Sequence, residues 1–376
     1  MRFQDAINIE DLRAIARKRL PRFVFTYVDG GAEDEITLRG NRDAFLRLRF
    51  RPRTLVNVSK RDLSTQMLGA PSALPIVVGP TGLNGLSWPD GDMELARAAS
   101  AAGVPFAMST VSMSLVEDVA REAPGRLWLQ AYVFSERRIT DAIMARARDA
   151  GFECVVLTSD FPVAGKRERD LRTGLLPHQR FTLATRLDML KHPRWLATVA
   201  TRRPRFVNVE RELEAGRDVN SFVGHGMFDP SFSWDDVKRF RDLWPRKLLL
   251  KGVLRAEDAE RAIAAGIDGL VVSNHGGRQL DGAISAIEAL PEIARSVRGR
   301  VSILVDGGIR RGSDIAKALA LGAEGVILGR APVYGLAAGG RAGVARAIAI
   351  LADELDRTLA LTGSPNIAAL TADLIA

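Results

Sequence analysis

The 376-residue chain has a single cysteine, only four histidines, no apolar run near the length of a membrane span, and no GxGxxG after its first expected strand. The lone thiol, Cys154, excludes an internal disulfide and fits a reducing compartment. It lies in Cys154-Val155-Val156-Leu157, where a small core residue is a better reading than a nucleophile. A spanning helix needs roughly 18 consecutive apolar residues. Met1 to Phe25 mixes charges with apolar residues, so no signal peptide is expected either. The net charge of +8 raises nucleic acid as a partner, but zinc-finger spacing and aromatic RNA-binding signatures are missing. That leaves a solvated arginine-rich face, or attraction to anionic substrates or an anionic membrane surface. No metal site is expected.

What is present is ordinary for a globular protein: 47% hydrophobic residues and 26% charged ones. Short apolar runs recur at 75–80, 104–109, 127–132, 154–160, 247–252, 269–275, 302–308 and 325–330. Alanine- and charge-rich stretches with helical spacing lie between them, such as 90–102, 256–265 and 313–321. Ser313-Asp314 suits the N-cap of the last, and Gly322 its stop. Eightfold strand–helix alternation predicts one closed (β/α)8 TIM barrel domain over residues 1–376. A doubly wound open sheet is the alternative, and the missing GxGxxG counts against it. Two segments fall outside the alternation. Residues 1–70 form an N-terminal cap, with an amphipathic helix at 9–20 before Pro21. Residues 161–245, after the fourth strand, are far too long for a normal connection and read as a lid or binding surface.

In a barrel of this kind the active site lies at the C-terminal ends of the strands. Those ends carry Pro80-Thr81-Gly82, Ser109, Gln130 and Tyr132, Thr158 and Asp160, Lys251, Ser273 and His275, Asp306-Gly307-Gly308, and Gly329-Arg330. So many polar residues exceed what packing explains and point to a sizeable polar ligand. His275 and Arg278 sit three apart in the turn Ser273-Asn274-His275-Gly276-Gly277-Arg278. A proton acceptor beside a fixed positive charge suits deprotonation of an anionic substrate. Asp160 is placed to orient the imidazole and raise its basicity. Asp306, Gly307, Gly308, Arg310, Gly329 and Arg330 follow strands seven and eight, the usual phosphate site of this fold. Lys251 at the end of an apolar strand requires an anion: either a flavin edge that becomes negative on reduction, or a barrel carboxylate. Arg167, in Arg167-Glu168-Arg169-Asp170, faces the pocket or belongs to a solvated charge run.

The decapeptide from Ser273 to Gly282, the stretch Tyr27-Val28-Asp29-Gly30-Gly31-Ala32-Glu33-Asp34-Glu35 and the loop from Asp306 to Gly312 resemble the FMN-dependent 2-hydroxy acid dehydrogenases and oxidases, and the resemblance covers nearly the whole chain. It implies FMN as cofactor, His275 as base with Asp160 as its partner, and Arg167 and Arg278 holding the substrate carboxylate with help from Tyr27. It implies Tyr132 beside the substrate hydroxyl, and flavin contacts from Pro80, Thr81, Gly82, Ser109, Gln130, Thr158, Lys251, Ser273, Asp306, Gly307, Gly308, Arg310, Gly329 and Arg330. The implied reaction converts an (S)-2-hydroxy acid to a 2-oxo acid, by a carbanion or a hydride route, in a homotetramer. Pro80-Thr81-Gly82-Leu83-Asn84-Gly85 and His192-Pro193-Arg194-Trp195 resemble the bacterial mandelate and lactate dehydrogenase branch. Gly82, where oxidases commonly carry alanine, favours quinone or cytochrome over oxygen as acceptor. Val111, where the glycolate oxidase pattern carries tryptophan, implies a mandelate-like substrate with a phenyl group, or lactate, whose selective relatives also have small residues there.

Between Arg180 and Phe206 lie seven basic residues, Arg180, Arg186, Lys191, Arg194, Arg202, Arg203 and Arg205, against one acid, Asp188. Leu187, Leu190, Trp195, Leu196 and Val199 are interleaved with them, a composition suited to a lipid interface. The resembled dehydrogenases associate with the inner membrane here, which implies a cytoplasmic protein, peripheral on the cytoplasmic face of that membrane. A soluble lid with a basic face is the alternative.

Overall fold

The computed structural model describes residues 1–174, 181–199, 205–214 and 227–376. Eight parallel strands close into a barrel: β1 (Ile76–Val78), β2 (Phe106–Ser109), β3 (Leu127–Ala131), β4 (Cys154–Thr158), β5 (Lys247–Val253), β6 (Gly269–Val272), β7 (Ser302–Asp306) and β8 (Gly325–Leu328). β8 returns to pair with β1, Val326 opposite Ile76, which closes the cylinder. Each expected strand is found, shortened where its polar end leaves the sheet.

The strands are apolar on both faces because they are buried twice. Inward residues, among them Val77, Ala107, Trp128, Val156, Leu249, Val271, Leu304 and Ile327, fill the barrel. Met67 and Leu68 close it from below, at the tip of an antiparallel hairpin formed by Thr65–Met67 and Ala70–Ser72. Cys154 is among the inward residues, and burial pushes its thiol well above the usual range, so it is an inert core residue. Outward residues meet the surrounding helices in a second, larger core.

The cap comprises α1 (Ile9–Arg19), α2 (Arg22–Asp29) and α3 (Ile36–Arg47). Asn8 caps α1 by accepting from the Asp11 amide, and α1 packs on the C-terminal helix Arg330–Thr362. That helix is long and apolar enough to cross a membrane, but it is broken at Gly339 and Gly340 and mostly buried in the barrel's outer core. Asp29 ties the cap together. Burial opposes its ionisation, yet hydrogen bonds from Arg13 and Tyr334 hold it down at about 2.

Two boundaries differ from expectation. The helix Gly312–Ala320 is capped by Arg311, not by Ser313-Asp314. Asp314 sits inside its first turn and accepts the Arg310 and Arg311 amides from there, so the helix starts earlier. The excursion after β4 also ends sooner than residue 245. Trp234–Leu243 is a barrel helix with a Ser233–Asp236 capping box and buried Val237 and Phe240. The described excursion contains the helices Glu168–Thr173, Leu183–Leu190, Pro193–Thr198 and Val207–Glu210.

Candidate active site

The C-terminal strand ends open into a cavity of about 480 Å³ roofed by the cap and the excursion. Its floor follows from strand periodicity. Two residues beyond each of the inward apolar residues Ala107, Trp128, Val156, Leu249, Val271 and Leu304 comes a polar one: Ser109, Gln130, Thr158, Lys251, Ser273 and Asp306. Ser109 donates to Gln130 (2.7 Å), and Gln130 donates to Thr158 (2.8 Å). Lys251 Nζ donates to Ser273 Oγ at 2.8 Å and lies 3.2 Å from Asp306 and 3.9 Å from Asp160. Burial opposes the charge on Lys251, but the two carboxylates outweigh it and raise its pKa. Lys251 thus meets two barrel carboxylates and also lines the cavity. One oxygen of Asp306 and one of Asp160 are buried without a hydrogen-bond partner among the described residues.

His275 has φ +58°, a conformation rarely taken by a residue with a side chain. Its amide donates to Ser273 Oγ (3.0 Å), and its ring is held on both sides. Nδ1 lies 2.9 Å from Asp160 and Nε2 lies 3.3 Å from the Tyr132 hydroxyl. A carboxylate partner assigns the proton to Nδ1 and leaves the Nε2 lone pair toward the cavity. Asp160 is kept ionised: burial opposes it, but Lys251 and His275 together outweigh burial. Its pull on the ring is weaker than expected from sequence. Burial, helped by Lys251, lowers the His275 pKa despite Asp160, so the resting imidazole is neutral.

Arg278 donates to the carbonyls of Tyr27 (2.7 Å) and Gly30 (3.0 Å), and its guanidinium stands 5.1 Å from the Tyr27 ring centre. Arg167 reaches the same ring at 5.8 Å, so it faces the pocket rather than solvent. Burial, and then repulsion from Arg167, lowers the Arg278 pKa. The Tyr27 hydroxyl donates to the Gly82 carbonyl (3.3 Å). A Cβ on Gly82 would lie 3.1 Å from Val111 and 3.3 Å from that hydroxyl.

At the opposite corner, Gly307 (φ +87°) and Gly308 (φ +82°) take the left-handed turn that glycine allows. Arg330 donates to the carbonyls of Val28, Gly276 and Gly30, joining cap to barrel. Burial, then the nearby Arg278 and Arg310, lowers its pKa to about 10. Arg310 lies over the Tyr334 ring at 5.5 Å.

The expected site residues thus converge. Pro80, Thr81, Gly82, Gly329 and the others line the cavity, except Asp160 and Ser273, which stand behind His275 and Lys251. Several neighbours went unread in the sequence. Phe161 and Phe228, with ring centres 4.4 Å apart, wall the cavity beside His275. Gln279 donates to the Asp160 and Val163 carbonyls and accepts from the Gly165 amide, pinning the loop that carries Asp160 and Arg167. Asn41 and Asn274 exchange side-chain hydrogen bonds at 2.8 and 3.0 Å, seating α3 on the His275 turn. The decapeptide already contained Gln279 and Asn274; their partners lie too far away in sequence to be read.

In the excursion Leu183, Leu187 and Leu190 are exposed at 73%, 53% and 68%. Arg186, Lys191 and Arg194 are exposed in the same segment, and Arg205 is exposed further along the chain. Trp195 and Val199 are buried, against expectation: the Trp195 indole donates to the Leu86 carbonyl and packs edge-on to Phe23. Arg180, Arg202 and Arg203 lie outside the described residues.

Residues 16–376 match the family described as FMN-dependent dehydrogenase. The chain is 46% identical to (S)-mandelate dehydrogenase of Pseudomonas putida, covering 99% of this chain and 94% of that one. It is 41% identical to L-lactate dehydrogenase of Pectobacterium atrosepticum, over 96% and 95%. Among solved structures, one described as the monotopic membrane protein (S)-mandelate dehydrogenase superposes with a TM-score of 0.94 at 45% identity, covering 99% and 100%.

Proposed function

The chain belongs to the FMN-dependent dehydrogenase family and is an oxidoreductase of 2-hydroxy acids; from that premise we propose that it oxidises a bulky (S)-2-hydroxy acid, mandelate-like in preference to lactate, and hands the electrons to a quinone or cytochrome. One observation carries the reading: His275, Arg278, Arg167, Tyr27 and Tyr132 face one cavity whose floor holds a buried lysine.

The residues present fit FMN. The cavity floor is polar, Asp306 has a buried oxygen with no hydrogen-bond partner among the described residues, and Arg310 and Arg330 line the cavity together with the left-handed Gly307-Gly308 turn. A Cβ on Gly329 would meet nothing nearer than Thr81 at 3.9 Å, so the backbone there is open to a ligand. Gly307, Gly308, Arg310, Gly329 and Arg330 would hold the phosphate. Pro80, Thr81, Gly82, Ser109, Gln130, Thr158, Lys251, Ser273 and Asp306 would hold or support the ring system. When bound, FMN supplies a two-electron acceptor.

The rest of the chemistry belongs to the chain. Arg167 and Arg278 bind the substrate carboxylate, with Tyr27 alongside. Tyr132 orients the substrate hydroxyl, and His275 Nε2 takes a proton while Asp160 stabilises the resulting imidazolium. Val111, Phe161, Met227 and Phe228 supply an apolar wall for the substrate side chain, which supports a phenyl group over a methyl. The glycine at 82 supports an acceptor other than oxygen. A homotetramer on the cytoplasmic face of a membrane completes the reading, resting on the resemblance and on the exposed leucines of the excursion.

The test is anaerobic bleaching of the flavin by both enantiomers of mandelate and lactate, and by glycolate. The (S)-acids should bleach it, mandelate fastest, and the (R)-acids should not. Equal rates for the two enantiomers, or no bleaching by any acid, sinks the proposal. Reoxidation by oxygen as fast as by a dye acceptor would instead mark an oxidase.

A further inference from the structure

Asp170 is a buried carboxylate in the cavity wall to which the reaction above gives no part. It is the third residue of the helix Glu168–Thr173. Its side chain is 5% exposed, Oδ2 lies 3.9 Å from Arg167 Nε, and Oδ1 has no hydrogen-bond partner among the described residues. Helix capping does not explain it: among the described residues no backbone amide donates to the carboxylate, and its nearest cation is the Arg167 guanidinium. The charged groups that face it are Arg278 from the turn after β6, Arg167 and Arg169 from its own segment, and Glu35 from the end of the cap loop. Arg169 is already paired with Glu35 (3.1 Å) and Asp29 (3.4 Å). The partners left for Asp170 are therefore Arg167 and Arg278, the two groups that grip the substrate.

Two guanidiniums and one carboxylate leave the empty site with a single excess positive charge. A bound substrate brings a second carboxylate to the same pair. Two carboxylates crowded together do not both stay ionised readily, and the buried one, with an oxygen left without a hydrogen bond, gives way. Burial already pushes the Asp170 pKa up, against the pull of Arg278 and Arg167.

We propose that Asp170 is a positioning residue: it occupies Arg167 and Arg278 while the site is empty and takes a proton from solvent as the substrate anion binds. The inference rests on the reading that these two arginines hold that anion. Its consequence is that anion affinity depends on pH through a residue outside the reaction, and that Asp170 weakens binding at high pH.

Calorimetric titration of the FMN-loaded protein with oxalate, a small unreactive carboxylate, tests it in buffers of different ionisation enthalpy. The wild-type protein should take up a proton on binding, and its affinity should fall with rising pH, by up to about tenfold per unit over the range where Asp170 is ionised in the free protein and protonated in the complex. Asp170→Asn should bind oxalate about tenfold more tightly at pH 8 and take up less proton, a change that a purely structural role would not produce. His275→Gln separates the two titrating groups and should keep the Asp170 uptake. It also carries the test alone if Asp170→Asn does not fold, because pH-independent affinity in His275→Gln overturns the proposal. Equal affinity and equal uptake in wild type and Asp170→Asn overturns it too, while leaving the substrate reading intact. Absence of oxalate binding in every protein overturns both.

Discussion

At the scale of single residues the site sets a base against burial. His275 must be neutral to accept a proton, and burial with Lys251 lowers its pKa below the ordinary 6.5. The base is therefore available above that lowered value and is lost as pH falls through it. The acid limb of kcat/KM, which reports the free enzyme, should have its midpoint below pH 6.5. His275→Gln should retain the flavin spectrum, lose the acid limb, and lose turnover by at least about 10²–10⁴-fold. Near-normal turnover, or an acid limb above pH 7, contradicts the assignment. These residues were legible in the sequence because each sits at a fixed place: two beyond an inward apolar residue, or within a short turn. Phe161 and Asp170 were not, although they lie beside Asp160 and Arg167. Which side of an irregular loop faces the cavity is set by tertiary contacts such as Gln279 to the Asp160 carbonyl, and no periodicity announces those.

At the scale of elements the active site depends on how closely α3 approaches the strand-end turns. A Cβ on Gly308 would lie 2.3 Å from the Asn41 carbonyl oxygen, and its φ of +82° disfavours any side chain. That oxygen is backbone and not a flexible side-chain tip, so backbone must move. Gly308→Ala should cost about 2 kcal/mol or more, from strain and clash together, and should weaken FMN binding because the same turn lines the cavity at the proposed phosphate site. Gly40, inside α3 with nothing within 4 Å of its Cβ, is the control. Gly40→Ala should raise stability by ~0.5–1 kcal/mol through helix propensity alone. Thermal melts of the two proteins, with and without FMN, decide the matter; a Gly308→Ala protein as stable as wild type would refute the close-approach account. The barrel itself was plain from eight apolar runs, since a strand buried on both faces leaves a continuous mark. The helix start at Arg311 was not plain, because Asp314 caps backward from inside the helix, a bond that Ser313 as N-cap would not suggest.

For the whole molecule, the question is what the excursion presents to its surroundings. Phe181 and Trp195 pack on Phe23 of α2, and the Arg22 amide donates to Asp188 (2.6 Å), so the helix Leu183–Leu190 has a fixed orientation. Its exposed leucines, at spacings of four and three, are therefore an outward stripe held in place. Exposed Arg186, Lys191 and Arg194 flank the stripe. An apolar stripe with a basic border is the pattern of an interfacial helix on an anionic membrane. Basic residues near such a surface contribute about 1 kcal/mol each, so the three together are worth roughly a hundredfold in partitioning at physiological salt. Flotation with vesicles containing anionic lipid should carry the protein upward, and vesicles of neutral lipid should carry much less of it. Leu187→Asp with Leu190→Asp should abolish flotation while leaving anaerobic flavin bleaching intact, because neither side chain lines the cavity. The sequence pointed to this surface but overstated its apolar part, since composition does not reveal that Trp195 and Val199 turn inward. Equal flotation of wild type and the double variant would assign attachment to charge alone, and no flotation with either lipid would leave the excursion a soluble lid.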